Sequence, residues 1–341
     1  MIRKDLLKNI SSVAESTGLK DDQVLEAMTQ GLIAGCKKTH KVNSCRVEFK
    51  EDKNELLVYK QYLVVDDYDF DADKTYTQML LEDARKEKSR IKAGEILEIK
   101  INPEEYGHYA IRDMKQKYNE IIGNFQKQNL LAFYRDIEGE ILKVRIIDSS
   151  QFVYYIDLGK ETSILPKSEV LERDKFHIGD EVYVYVSAVE MTPKGPKVYV
   201  SRKHNGLILK LMEKYIPEIQ SKVIEIVGIS REPGDRTKIG IKSNNPQVDP
   251  IGACVGEAGV RIKSVLAALS GEKIDLFRWS NNERELIKNA LQPADVIAVT
   301  KVNPHEKTVL VIVPDEQLSL AIGKSGQNVK LAVQACRWNL Y

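Results

Sequence analysis

The stretch Ala321-Ile322-Gly323-Lys324-Ser325-Gly326-Gln327-Asn328-Val329-Lys330-Leu331-Ala332-Val333 sets two glycines around a lysine and a serine, between two apolar-periodic segments. A second copy lies sixty-seven residues earlier, in Gly252-Ala253-Cys254-Val255-Gly256-Glu257-Ala258-Gly259-Val260-Arg261-Ile262-Lys263-Ser264-Val265-Leu266, where Gly256 and Gly259 take the places of Gly323 and Gly326. The surroundings repeat as well. Periodicity predicts a helix at 206–215, strands at 223–230 and 238–243, helices at 251–255 and 260–269, and a strand at 274–279. The second copy predicts a helix at 282–291, strands at 296–302 and 308–313, helices at 316–322 and 328–335, and a strand from Trp338. An ordinary tight helical turn would account for either glycine pair alone. Two pairs within the same helix, strand, strand, helix, turn, helix, strand order indicate a duplicated domain of about seventy residues.

The turn suggests a grip on a nucleic-acid backbone. A glycine without Cβ takes φ > 0 freely and lets a phosphate come close, while the following helix aims free N–H groups and its positive dipole end at that phosphate. Lys324 adds a cation and Ser325 a hydroxyl; Gln327 and Asn328 offer amide edges able to read bases, and Lys330 supplies a further charge. The first copy presents Gly256, Glu257, Ala258, Gly259, Arg261 and Lys263 in the same places. The element order is that of a type II KH domain, a fold that clamps about four nucleotides of single strand. Gly323-Lys324-Ser325 also ends a P-loop signature, but that motif needs a glycine five residues before Gly323, where Leu318 stands.

With 341 residues, 43% hydrophobic and 30% charged, the chain is expected to form several compact domains. Its formal net charge of +1 hides an asymmetry: −1 over residues 1–134, −3 over 135–201 and +5 over 202–341. The positive surplus travels with the repeated motif, as backbone neutralisation requires. No run approaches eighteen apolar residues, and the first thirty mix acids and bases among the leucines, so no membrane segment or leader is expected and the setting is read as cytoplasmic. Cys36, Cys45, Cys254 and Cys336 form no CxxC and are read as free thiols, with no zinc site and no disulfide framework. His40, His108, His177, His204 and His305 are scattered, and neither HExxH nor G-x-S-x-G occurs, so no catalytic, metal or cofactor site is expected and the chain is not read as an enzyme.

Upstream, residues 5–35 predict two amphipathic helices separated at Gly18, the second capped by Asp21 or Asp22. A hairpin over 45–49 and 56–65 turns at Glu51-Asp52-Lys53-Asn54, and the acidic run from Asp66 to Asp73 is read as a solvated loop, since no calcium-loop glycine or glutamate accompanies it. A short helix at 79–88, a strand at 95–101 and a long helix from Asn102-Pro103 to about Tyr134 complete an α/β N-terminal domain. Residues 140–147, 152–158, 163–166, 181–189 and 197–201 then predict five short strands, hence a small OB-type barrel. In the fourth strand Val182, Val184 and Val186 should face the core and Tyr183 and Tyr185 the outside. Exposed rings on such a barrel stack unpaired bases, and Phe152, beside a polar loop, is the best candidate.

The succession of α/β N-terminal domain (1–134), S1-type five-stranded barrel (135–201) and tandem KH domains (202–279 and 280–341) resembles the bacterial NusA family of transcription elongation and termination factors. Its most specific stretches are Asp249-Pro250-Ile251-Gly252-Ala253-Cys254-Val255-Gly256, Gly271-Glu272-Lys273-Ile274-Asp275, Ala290-Leu291-Gln292-Pro293-Ala294-Asp295-Val296 and the opening stretch; Lys194-Gly195-Pro196 with Val200-Ser201-Arg202 resembles the end of the family's S1 domain. The resemblance implies an α+β multidomain, non-enzymatic monomer. Such a factor binds RNA polymerase through its N-terminal domain, touches nascent single-stranded RNA through its S1–KH–KH unit, works with other antitermination factors, and modulates pausing, termination and antitermination. An RNA chaperone on ribosomes or messenger without polymerase contact is the alternative, and an S1/KH exonuclease is disfavoured for want of a phosphorolytic core. Two departures stand out. Glu257-Ala258 occupies the first turn where the family usually has a basic residue, which predicts a weaker phosphate grip with more of the work falling to Arg261 and Lys263. Arg337 stands where the last repeat normally has glycine.

Overall fold

The computed structural model describes residues 6–50, 53–69, 71 and 73–341. Glu51 and Asp52 of the expected turn, and Phe70 and Ala72 of the acidic run, lie outside the described residues. The chain divides into two compact units, with the boundary in sequence between Phe133 and Tyr134.

In the first unit, α1 (Leu6–Thr17) ends at Gly18, whose φ of +68° suits glycine, and α2 (Asp21–His40) follows. The N-cap of α2 is Lys20 and not an aspartate; the Gln23 side chain accepts from the Lys20 backbone N–H at 3.1 Å, and Asp21 and Asp22 favour the first turn electrostatically. Then come β1 (Ser44–Lys50), β2 (Glu55–Val65), β3 (Thr77–Leu80), α3 (Leu81–Glu87), β4 (Ile96–Ile101) and α4 (His108–Arg135). The long β2 pairs antiparallel with β1 and β4 and parallel with β3. Two expectations shift. Met79 and Leu80 belong to β3, where they pair with Val64 and Val65, so the short helix starts only at Leu81. The long helix starts at His108: Asn102 caps a single 3-10 turn at Pro103–Glu105, and Tyr106 then turns inward to donate from its hydroxyl to the Leu32 carbonyl at 3.0 Å.

Two of the four cysteines are not the free thiols that their spacing implied. Cys36, near the end of α2, and Cys45, in β1, form a disulfide with their Cα atoms 6.7 Å apart. Packing of α2 on β1 brings the two into one core with Val42, Val58 and Ile101, a proximity that no local motif announces. Cys254 and Cys336 are free and buried, and burial pushes both thiols up to about 12.

The second unit opens with β5 (Ile141–Ser149), β6 (Val153–Asp157), β7 (Thr162–Pro166), β8 (Glu181–Thr192) and β9 (Gly195–Ser201), in the order β7-β6-β5-β8-β9. The Ser163 hydroxyl donates to the Val198 carbonyl at 3.0 Å, bridging β7 to β9 and nearly closing the barrel. Val182, Val184 and Val186 fill it as expected. Two KH domains follow. The first comprises α5 (Asn205–Tyr215), α6 (Pro217–Gln220), β10 (Ile224–Glu232), β11 (Arg236–Ser243), α7 (Pro250–Val255), α8 (Val260–Ala268) and β12 (Lys273–Arg278). The second comprises α9 (Glu283–Ala290), β13 (Ala298–Asn303), β14 (Thr308–Ile312), α10 (Asp315–Ile322), α11 (Gln327–Cys336) and β15 (Asn339–Leu340). In each sheet the first two strands are antiparallel and the third joins in parallel, the mixed pattern of the type II arrangement.

Barrel and KH domains are fastened together. Tyr183 and Tyr185 do leave the barrel core, but they pack on the first KH core around Leu207, Ile208 and Leu211 and are not free for bases. Tyr185 stacks on His204 with ring centroids 4.4 Å apart, and a Cβ on Gly206 would collide with its ring. Beneath them Arg202, 1% exposed, makes a two-pronged bond to Asp174 (2.6 and 2.9 Å) and donates to the carbonyls of Tyr183 and Ala268. Arg231 and Glu272, both fully enclosed, form a second such pair at 2.8 Å, and Arg231 also donates to the carbonyls of Arg202, Lys203 and His204.

The two KH domains share a core as well. Phe277 and Trp279 of the first pack with Leu286, Ile287, Ala332 and Trp338 of the second. Gly228 of β10 lies so close to the Ala335 carbonyl of α11 that no Cβ would fit. Lys238 of β11, 1% exposed, donates to the carbonyls of Ala290 and Gln292 at 2.7 and 2.9 Å, at the C-terminal end of α9. Burial lowers its ammonium to about 8; Asp275 opposes the shift and Arg236 adds to it.

Removing one partner of a buried, hydrogen-bonded ion pair strands the other. Arg202→Ala should therefore destabilise the second unit by about 3–5 kcal/mol in urea unfolding, and Arg202→Met with Asp174→Leu should recover most of the loss. A small effect of the single substitution would show the pair to be dispensable. For Lys238 the folded pKa lies below the unfolded one, so the unfolded chain binds more protons between about pH 8 and 10.5, and stability rises with pH there. Relative to Lys238→Met, the wild-type chain should gain up to about 3 kcal/mol across that window. A difference that does not change with pH would rule this out.

Candidate nucleic-acid interface

The two glycine turns are conformational copies. Gly256 and Gly323 adopt φ/ψ of 73°/175° and 77°/171°, Ala258 and Ser325 adopt 50°/18° and 52°/30°, and Gly259 and Gly326 adopt 74°/17° and 76°/12°. Three residues per turn thus hold positive φ. Gly323 could not be replaced without a clash, since a Cβ there would lie 2.7 Å from the Asn328 amide nitrogen. Each turn leads into a helix, α8 or α11, and places the positive end of that helix dipole at the turn; the first N–H of each helix, of Val260 or Gln327, donates to the Glu257 or Lys324 carbonyl within the turn.

The predicted residues divide sharply. Lys324 and Ser325 are exposed at the tip of the second turn, and neither has a partner among the described residues. Glu257 and Ala258 are exposed in the same positions of the first. Lys263 is exposed but folds back, donating to the Ala258 carbonyl at 2.9 Å. Lys330 pairs with Glu232 of the first KH domain at 2.8 Å. Gln327 donates to Glu232 at 2.6 Å and to Asp235 at 2.5 Å, so its amide is committed to the domain junction. These bonds, Gln327 first and then Lys330, hold the Glu232 carboxyl below its ordinary range.

Arg261 and Asn328 occupy equivalent positions, five residues after the first glycine of each turn, and do equivalent jobs. Arg261 donates to the Ala253 carbonyl at 2.8 Å and pairs with Glu218 at 2.7 Å, which lowers the Glu218 pKa. Asn328, 5% exposed, donates to the carbonyls of Leu291 and Ala321 at 3.0 and 3.1 Å. Both side chains thus satisfy carbonyls at the end of the helix before the turn, groups that would otherwise be orphaned. The expectations that Asn328 offers an edge to bases and that Arg261 supplements the first grip do not fit these placements. The signal for Asn328 was present: it shares one helical stripe with the buried Leu331, Ala332 and Ala335. Glu218, Glu232 and Asp235, which hold the predicted residues, carried no local signal.

On the barrel, Phe152 is 71% exposed just before β6, more than any other barrel aromatic. Tyr154 is edge-on to Phe176 with centroids 5.6 Å apart, and Lys167 lies over its ring. Among the described residues no group of histidines, cysteines and carboxylates is placed to hold a metal ion, and no helix is long and apolar enough to cross a membrane.

Comparison with known proteins accounts for nearly the whole chain. The NusA N-terminal domain matches residues 5–128, the S1 RNA binding domain 135–201, the NusA-like first KH domain 202–279 and the NusA-like second KH domain 283–341. A Halalkalibacterium halodurans protein named transcription termination/antitermination protein NusA is 34% identical over 340 residues, covering 99% of this chain and 88% of its own. The chain belongs to the NusA family. Relatives of the same name from Bacillus subtilis (34% identical, covering 98% of this chain and 90% of the relative) and Thermus thermophilus (38%, covering 80% and 69%) agree. The NusA-like stretches singled out in the sequence now have physical roles. Glu272 receives Arg231, Arg202 ties barrel to KH domain, and Ala290 and Gln292 receive Lys238. Arg337 is the C-cap of α11 with φ 59°.

Asn328→Ala should leave the Leu291 and Ala321 carbonyls without their donor and cost about 1–3 kcal/mol in stability. Urea unfolding checks this, and an unchanged midpoint would return Asn328 to the list of residues free to meet RNA.

Proposed function

We propose that this chain acts on transcribing RNA polymerase. In this reading residues 1–134 bind the polymerase, while the S1 domain (135–201) and the KH domains (202–279 and 280–341) hold nascent single-stranded RNA. The protein is a monomeric, non-enzymatic cytoplasmic factor that modulates pausing, intrinsic termination and antitermination, alongside other antitermination factors. The observation that carries the RNA half is the pair of matched glycine turns on one fastened unit, the second presenting an unpartnered lysine and serine. The Lys324 ammonium and the positive dipole end of α11 would meet a phosphate, and Ser325 would add a hydroxyl. Phe152 would stack a base. The polymerase half is supported by membership of a family whose relatives are named for termination and antitermination.

Replacing Lys324 and Ser325 together by aspartate should lower affinity for an unstructured oligoribonucleotide by about tenfold or more and flatten its salt dependence, while the fold and polymerase binding survive. Unchanged affinity would remove the second turn from the interface. A pausing assay with purified polymerase tests the whole reading. Retention on core polymerase that depends on residues 1–134 supports it, and no retention at all would favour an RNA chaperone.

A further inference from the structure

The two turns share a backbone and differ in charge, and this difference is the most informative departure in the chain. At the first position between the glycines the second turn has Lys324 and the first has Glu257; both are exposed and neither has a partner among the described residues. The backbone cradle is the same in both, with every φ and ψ available for comparison agreeing within 12°. The cations near the first turn are also committed, Arg261 to Glu218 and the Ala253 carbonyl, and Lys263 to the turn's own Ala258 carbonyl. A phosphate approaching Gly256–Gly259 therefore meets the same backbone shape as at the second turn, but with an unpaired carboxylate in place of the ammonium.

Resting on the RNA-binding reading above, we propose that Glu257 is a specificity-determining residue that keeps the first turn from closing on phosphate, so that RNA is anchored by its backbone at the second turn alone. The first KH domain then contributes its groove to bases and not its turn to backbone. An acidic side chain at that place accepts hydrogen bonds from exocyclic amino groups, such as cytosine N4, and repels phosphate oxygens. Because the two KH domains share one core, the phosphate anchor is fixed at one end of the tandem and sets the register of the strand on it.

The test is a charge exchange in the full chain, with an unstructured oligoribonucleotide long enough to span both KH domains as probe. Glu257 is exposed and, unlike its neighbours in the turn, does not hold positive φ, so Glu257→Lys should fold normally. It should raise affinity by about fivefold or more at low salt and steepen the logarithmic salt dependence by about 0.7, the slope of one added single-strand phosphate contact. Lys324→Glu alone should lose affinity, and Glu257→Lys with Lys324→Glu should regain much of it, with crosslinks moving from residues 323–326 to 256–259. Glu257→Gln, which removes repulsion without adding a cation, should fall between wild type and Glu257→Lys. If Glu257→Lys leaves affinity and salt slope unchanged while Lys324→Glu weakens binding, the inference fails and the RNA-binding reading stands. If neither substitution changes binding, both fail.

Discussion

The S1–KH–KH unit depends on two buried arginine–carboxylate forks, Arg202 on Asp174 and Arg231 on Glu272. An isolated charge at either place would be prohibitive, and each fork is acceptable only because carbonyls and hydroxyls satisfy the remaining donors and acceptors. Arg202 also reaches the Tyr183 and Ala268 carbonyls, Ser270 donates to Asp174, and Thr237 and the Gly234 amide donate to Glu272. The Arg202 fork draws its bonds from the barrel (Asp174, Tyr183) and the first KH domain (Ala268, Ser270) together, so it forms only when both are in place, while the Arg231 fork ties the Arg202–His204 backbone to the first KH sheet. Domain orientation is thereby specified by directional contacts, where apolar burial alone would permit sliding.

The same principle operates at the second junction with different chemistry. There the first KH sheet is covered by α11, the backbone of β10 is brought close by Gly228, and Lys238 closes the end of α9. A lysine is suited to this place because its amine can donate to two carbonyls even when burial favours the neutral form. Ser230 donates to Gln334, while Gln327 and Lys330 reach back to Glu232 and Asp235. The helix that follows the second turn is thus held by the first domain. Whatever Lys324 and Ser325 meet, they are presented from a rigid base.

That arrangement explains the division among the expected binding residues. Side chains at the tips of the turns project away from both helices and remain exposed. Those further along α8 and α11 bond to the turn itself, to the helix before it or to the neighbouring domain. Lys263, Arg261, Gln327, Asn328 and Lys330 are all polar and all follow a glycine turn, yet each is tied to a carbonyl or carboxylate of the protein itself.

Residue pattern alone determined the local structure: the helices and strands of both repeats, the five barrel strands with their inward valines, and the glycine turns that require positive φ. These follow from periodicity and from the absence of Cβ, which act within a few residues. It also determined the family, because the matched stretches are contiguous. Tertiary structure decided what depends on contacts between distant segments. It paired Cys36 with Cys45, started the long helix at His108, and turned Tyr183 and Tyr185 from candidate base platforms into a domain junction. It buried Asn328 and locked Arg261 on Glu218. Asn328 excepted, whose place on the buried stripe of α11 was legible, the partners in these cases lie from nine to more than forty residues away, and no local spacing rule reaches them. The opening stretch shows both sides: its glycines were legible because their role is conformational, whereas the use of its polar side chains depended on which surfaces fold against them.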